Sequence, residues 1–323
     1  MDSKTLIDKY EKMITSTDTY TLDADMDIVS NEEVYHYKVT VDYMKGDYYK
    51  VDLTNKDNEH KQIILKNEKG VFVVTPDLNK SFKFQSQWPN NSSQSYILSS
   101  LLKDLRNDEN VKFEETENNY ILTSTVNYPN NSSLVSQKIT FDKDVKVQKV
   151  EVFNENENAN ITLKVIDIKY NTNFDEKHFE IDSIIKNDTK TNEVTNKQDE
   201  AANKQDENVS KLDEIIYPMY LPTGTTFKGE ETVKTDDSER VILSFTGDKS
   251  FIMIEEVSKV PGEFEVSNTD GELVFYENIL GSLTDTSLNW TANGKDYYII
   301  AENLSNEELL KVASSTGTVS LTK

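Results

Sequence analysis

The sequence predicts an α+β protein, mainly antiparallel β: one long curved sheet with helices on one face, followed by a second, smaller α+β domain. Three observations lead there. Apolar and polar residues alternate with a period of two through much of residues 20–168, the connections are short turns rich in Gly, Asn and Asp, and a polar stretch without aromatics follows Ile185. Strands joined by tight turns pair antiparallel, because parallel neighbours would need crossover helices between them.

Residues 3–16 read as a helix, capped by Asp2 or Ser3, with Leu6, Ile7, Tyr10, Met13 and Ile14 as its apolar stripe. Strands follow in which Tyr20, Leu22, Ala24, Met26 and Ile28 alternate with Asp23, Asp25 and Asp27, and Tyr35, Tyr37, Val39, Val41 and Tyr43 alternate with His36, Lys38, Thr40 and Asp42. Lys45-Gly46-Asp47 turns the chain into Tyr49, Val51 and Leu53, after which come Ile63–Leu65, Gly70–Val74 and a strand carrying Phe82 and Phe84. Trp88-Pro89 stops that strand, since proline lacks the N–H a ladder needs and holds its predecessor extended. Asn91 or Ser92 caps the next helix, with Gln94 placed as in a capping box. Its buried face is Ile97, Leu98, Leu101, Leu102 and Leu105, and Ser99, Ser100, Lys103 and Asp104 lie opposite. The meander resumes at 111–115, 120–126, 137–141, 147–153 and 161–168, making a first domain over 1–185 of about ten strands, a length at which sheets curl or split.

Between Lys186 and Lys211 the apolar residues are Val194, Ala201, Ala202 and Val209, and Asn-Lys-Gln-Asp-Glu occurs twice, at 196–200 and 203–207. This reads as a linker, a loose helix being the alternative; as a coil its ends would stand about 28 Å apart. The second domain, 212–323, opens on the apolar run Ile215–Pro222. It continues with strands near 226–233, 241–245, 251–257, 273–276, 288–292 and 297–301, and closes with a helix that the capping box Ser305-Asn-Glu-Glu308 begins.

Composition removes several functions. With 35 basic and 58 acidic side chains the net charge is −23, which repels nucleic-acid phosphates and bare anionic lipid. There is no cysteine, hence no disulfide, thiol nucleophile or thiolate zinc site. No apolar run approaches the roughly 18 residues of a membrane span, and no secretory leader opens the chain, so Met1 is read as a start that follows a removed segment. His36, His60 and His178 have no metal-ligand spacing, and no phosphate-binding, dinucleotide or serine-hydrolase motif occurs, so no cofactor and no catalytic activity are expected. Asp23, Asp25 and Asp27 share a strand face that could bind a cation or act as an acid/base pair; the favoured reading is structural, since an exposed antiparallel face is where such residues belong and no glycine sits where a calcium loop needs its turn. Tyr35, Tyr37 and Tyr43 point with the valines and are expected in the core, whereas Tyr48 opposes Tyr49 and Val51 and is expected in solvent.

The block Gln62–Pro76, followed by Asn79-Lys-Ser-Phe-Lys-Phe-Gln-Ser-Gln-Trp-Pro89 and Asn91-Ser-Ser-Gln94, resembles the sporulation and germination lipoproteins of spore-forming Firmicutes, the GerS and YdcC type, over about residues 3–182. The first domain of that family is similar to the lipoprotein carrier LolA. The second domain here, with Tyr217-Pro218, Leu221-Pro-Thr-Gly224, Trp290, Gly294 and Tyr297, is similar to an uncharacterised domain that often follows it. The resemblance implies an incomplete antiparallel barrel wrapped on helices, and an extracytoplasmic, non-enzymatic lipoprotein. It implies anchoring through an N-terminal cysteine that this sequence lacks, and work through a protein partner such as a cell-wall amidase. The expected docking face is the sheet's concave side or its edge near Trp88 and Tyr96, with Tyr48, Phe82, Phe84, Ile97 and Leu101 as further candidates. Three rivals stand beside that reading. One is carriage of lipid in an apolar cavity, another an envelope-stress sensor restraining an anti-sigma factor, and the last a cell-wall hydrolase.

Overall fold

The computed structural model describes residues 1–185, 212–234 and 238–317. The expected linker at 186–211 lies outside the described residues. Two compact units are present, Met1–Thr75 with Ser86–Ile181, and Pro76–Gln85 with Asp182–Lys323. The sequence reading placed Pro76–Gln85 in the first domain.

The first unit opens with α1 (Ser3–Thr15), and Asp2 is its cap: Oδ1 accepts from Thr5 N–H at 2.7 Å. Strands β1 (Thr19–Ser30), β2 (Glu33–Met44), β3 (Tyr48–Asn55), β4 (Lys61–Asn67) and β5 (Gly70–Thr75) form an antiparallel meander. The second unit contributes β6 (Lys80–Phe84) at this point in the chain. Then follow α2 (Leu98–Asn107), β7 (Lys112–Glu115), β8 (Tyr120–Thr125), β9 (Leu134–Phe141), β10 (Val147–Asn154) and β11 (Ala159–Tyr170). The first unit's strands lie in the order β5-β4-β3-β2-β1-β11-β10-β9-β8-β7, so the two meanders join where β1 pairs with β11. That pairing carries a bulge at Asp23/Ala24, which turns Ile166 of β11 outward at 64% exposure.

The inner face of this sheet is apolar, with Leu22, Ala24, Val39, Val41, Val51, Ile139 and Val150 all fully buried. Both helices cover it: the Tyr10 ring meets Phe141 edge-on at 5.1 Å, and its hydroxyl donates to Leu98 O at 2.9 Å. From α2, Leu98, Leu101 and Leu105 are each 1% exposed. Two expectations about α2 fail. The helix begins at Leu98 with Ile97 as an uncharged cap, not at Asn91 or Ser92. The reason is tertiary: Ser93 N–H donates to Asn127 O, Asn127 N–H to Ser93 Oγ, and Gln94 N–H to Ser100 Oγ, so these amides are already committed. Ser100 and Asp104, assigned to the solvent face, are buried.

The second unit contains β12 (Thr225–Lys234), β13 (Glu239–Gly247), β14 (Phe251–Val257), β15 (Glu265–Thr269), β16 (Glu272–Tyr276), β17 (Ile279–Leu283), β18 (Ser287–Ala292), β19 (Lys295–Ala301) and α3 (Asn306–Ser314). Its antiparallel sheet runs β12-β13-β14-β19-β18-β17-β16, and Leu309, Leu310, Val312 and Ala313 of α3 join its core. The Ser305–Glu308 capping box is formed as expected. Two strands escaped the sequence reading. β15 is exposed nearly throughout and pairs in parallel with β6, in register from Glu265↔Lys80 to Thr269↔Phe84, so nothing in its own pattern announces it. β17 is interrupted by Gly281, where a Cβ would meet Asn289 O at 2.4 Å; the close approach of β18 requires the glycine.

The protein is thus α+β and mainly antiparallel. Leu101→Ala should cost the first unit about 2–5 kcal/mol, because the truncated side chain leaves a cavity between α2 and the sheet; urea unfolding followed by circular dichroism measures it.

Candidate functional site

The sequence-derived candidates do not form one surface. Trp88, Tyr96, Ile97 and Leu101 are core residues of the first unit, exposed by 3%, 3%, 0% and 1%. Trp88 packs edge-on against Tyr49 at 5.8 Å, and its carbonyl accepts from Lys66 Nζ at 2.8 Å. Phe82 and Phe84 belong to β6 in the second unit, Phe84 buried and Phe82 half-buried. Tyr48 does face the opposite side of β3 from Tyr49, yet it is buried, contrary to expectation. The cause lies far along the chain: Phe179, itself fully buried, sits 5.7 Å from the Tyr48 ring, in a turn (Glu176–Phe179) that Asp175 caps and Asn67 Nδ2 holds through Phe179 O at 2.7 Å.

The same turn explains His178. Its Nε2 lies 2.7 Å from Asp42 Oδ2, whose other oxygen accepts from Thr21 at 2.7 Å. Burial pushes the Asp42 carboxyl up, but the bonds from His178 and Thr21 outweigh it and leave it below the ordinary range. The acidic stripe of β1 is likewise engaged across the strands, with Asp23 accepting from Thr40 at 2.7 Å, Asp25 paired with Lys56 at 2.5 Å and Asp27 with His36 at 2.7 Å. Among the described residues no group of three His, Cys, Asp or Glu is arranged to hold a metal ion.

Asp104 is the ionisable group that sequence reasoning missed in the first unit. Gln137 Nε2 donates to it at 3.1 Å and also reaches Ser124 Oγ at 3.2 Å, while Ser93 bonds it from the loop before α2. Burial raises its carboxyl to about 6, against the bonds from Ser93 and Gln137 and the charge of Lys103. Such a group adds stability that is complete below its ordinary 3.8 and lost as pH rises through about 6.

An exposed aromatic surface lies in the second unit. Leu212, Ile215, Ile216 and Leu221 pack against its core and so tie down the irregular strap that precedes β12. The strap's other large side chains face solvent: Tyr217 is 42% exposed, Met219 79% and Tyr220 36%, beside Phe227 of β12 at 46%. Tyr217 meets Phe227 edge-on at 5.6 Å, Phe227 meets Phe245 at 5.5 Å, and Glu230 accepts the Tyr217 hydroxyl. Ser315 fixes the strap's far end, taking Met219 N–H on its carbonyl at 3.3 Å and Tyr220 N–H on its hydroxyl at 3.0 Å. Next to Tyr220 opens a polar cavity of about 500 Å³ lined by Lys249, Glu302, Leu304, Glu308 and Lys311. Its lysines are paired, Lys249 with Glu308 at 2.5 Å and Lys311 with Glu307 at 2.9 Å. Rigid aromatic area with polar tips and a flexible thioether are what a protein-docking surface uses. A signal for it was present: eight residues, Ile215–Pro222, without a charged side chain, on a stretch fitting neither helix nor strand.

No protein-family model matches the chain. The sporulation protein YdcC of Bacillus subtilis (strain 168) is 35% identical to it over 310 residues, 96% of this chain and 88% of that protein. The chain belongs to the YdcC family. The kinship runs through both units. Among solved structures, a LolA-superfamily protein from Nitrosomonas europaea aligns with 57% of this chain and 99% of its own, at 10% identity and a TM-score of 0.33. The structure of the CwlD amidase from Clostridioides difficile in complex with the GerS lipoprotein aligns with 53% of this chain and 96% of its own, at 18% identity and 0.25.

Asp104→Asn should gain on the wild type as pH rises from about 4 to about 7, by up to about 3 kcal/mol, because the amide keeps the acceptor and never carries the buried charge. Urea unfolding at a series of pH values reads the difference.

Proposed function

We propose that this YdcC-family protein is a non-catalytic, extracytoplasmic sporulation factor that works by holding a protein partner, and that the partner docks on the Tyr217–Phe227 surface. One observation carries the docking site: Tyr217, Met219 and Phe227 stay in solvent at 42%, 79% and 46%, while Phe245, Phe251, Trp290 and Tyr297 of the same unit are buried. The place in sporulation rests on the relationship to YdcC. A lipid-carrier role has less support, since Tyr10, Leu98, Leu101 and Leu105 occupy the inner face where acyl chains would lie.

The test is affinity capture from envelopes of sporulating cells, with the wild type and a Tyr217→Ser/Phe227→Ser variant as bait. Both substitutions are at exposed positions and should change stability by no more than about 1 kcal/mol. The expected result is a stoichiometric protein, a cell-wall amidase or another envelope protein, whose recovery falls about tenfold or more with the variant. Equal recovery by both baits sinks the docking site. Acyl lipid without any protein moves the function to carriage, and an anti-sigma factor in the captured set moves it to stress sensing.

A further inference from the structure

One backbone amide of the strap is held by a carboxylate with no exposed surface. Glu255 projects from the core face of β14, in line with Phe251 and Met253, and its two oxygens lie 2.9 and 3.2 Å from Ile216 N. From β19, Lys295 Nζ stands 3.9 Å away and Tyr297 lies directly across the ladder. Lys295 is shared, since it also donates to Glu214 O of the strap. From the strap itself Glu214 and Tyr217 act on Glu255, the latter bonded to Glu230 of β12. β13 presents only Val241 opposite it, and the Arg240–Glu256 pair falls one residue along, on the other face. An ionised carboxylate accepts about four hydrogen bonds, and among the described residues it has one N–H and a lysine at the limit of ion-pair distance. The charged form is therefore poorly supplied.

We propose that Glu255 makes the docking of the strap on the second core proton-dependent, the strap being held more tightly when the carboxyl is neutral. Burial raises this group from 4.5 to about 7, with Ile216 N–H and Lys295 opposing and Glu214 adding to the rise. When the strap lifts, water reaches the carboxyl and its ordinary value returns. A group raised in the docked state adds docking free energy that is complete below about 4.5 and lost as pH climbs through about 7. Tyr217, Met219 and Tyr220 ride on the strap, so the order of that surface follows the proton whatever binds there.

Hydrogen–deuterium exchange of the full chain, read by mass spectrometry on peptides spanning 212–222 and corrected for intrinsic exchange, tests this at about pH 5 and about pH 7.5. Protection in the strap should be about tenfold or more greater at the lower pH, with β18 and β19 peptides unchanged. Glu255→Gln should abolish the dependence. Lys295→Met, which removes the opposing charge, should move its midpoint upward and serves if the first variant does not fold. Equal strap protection at both pH values, the same dependence in Glu255→Gln, or a parallel loss in β18 and β19 overturns the proposal.

Discussion

The first unit depends on the pairing of β1 with β11. Every other contact between neighbouring strands of that sheet closes a local turn, whereas Tyr20↔Tyr170 and Ile28↔Ile161 bring together the two ends of the unit. Loop-closure entropy makes such a pairing costly to form, and it is repaid only when both meanders are in place to bury a common face. The inner residues of β1, from Tyr20 to Ile28, are exposed by no more than 3%, because β2 and β11 flank them and the helices lie above. Once that seam is made, the outer strands extend it in either direction and α1 and α2 have one continuous floor.

Three carboxylates show how one residue type takes opposite properties from its surroundings. Asp42 is buried with a histidine and a threonine donating to its two oxygens, and it stays anionic. Asp104 is buried with neutral amide and hydroxyl partners and is pushed up to about 6. Glu255 has a single backbone donor and a distant lysine and rises to about 7. The order follows the supply of donors and positive charge to the ionised form, set against the cost of removing it from water. All three fasten segments that have no ladder of their own: the turn over β3, the loop before α2 and the strap before β12. Irregular backbone packed on a core needs side-chain partners for its amides, and Glu255, Ser93, Ser100 and Ser315 supply them here.

Much of the strand pattern was legible because alternation and turn residues are local. The candidate site was not. Trp88 and Tyr96 were placed at a docking edge of the sheet, yet both are buried, in a loop that Ser93 and Asn127 fasten by exchanging hydrogen bonds. Tyr48 has the alternation of an exposed residue and is covered by Phe179, which lies far along the chain. The aromatic strap was visible as an apolar run, but which of its residues face in and which face out has no period to read.

By itself, then, the sequence determined the α+β class, the antiparallel meanders, the capped α1 and α3 and the YdcC kinship, since each rests on residues within a turn or two of one another or on a run of matched identities. Tertiary structure alone decided that β1 pairs with β11, that Pro76–Gln85 sides with the second unit, that α2 starts at Leu98, and that Asp104 and Glu255 lie in the dark. Those outcomes are fixed by partners distant in the chain, whose hydrogen bonds and packing override local preference, and a one-dimensional pattern carries no record of which distant segment will arrive.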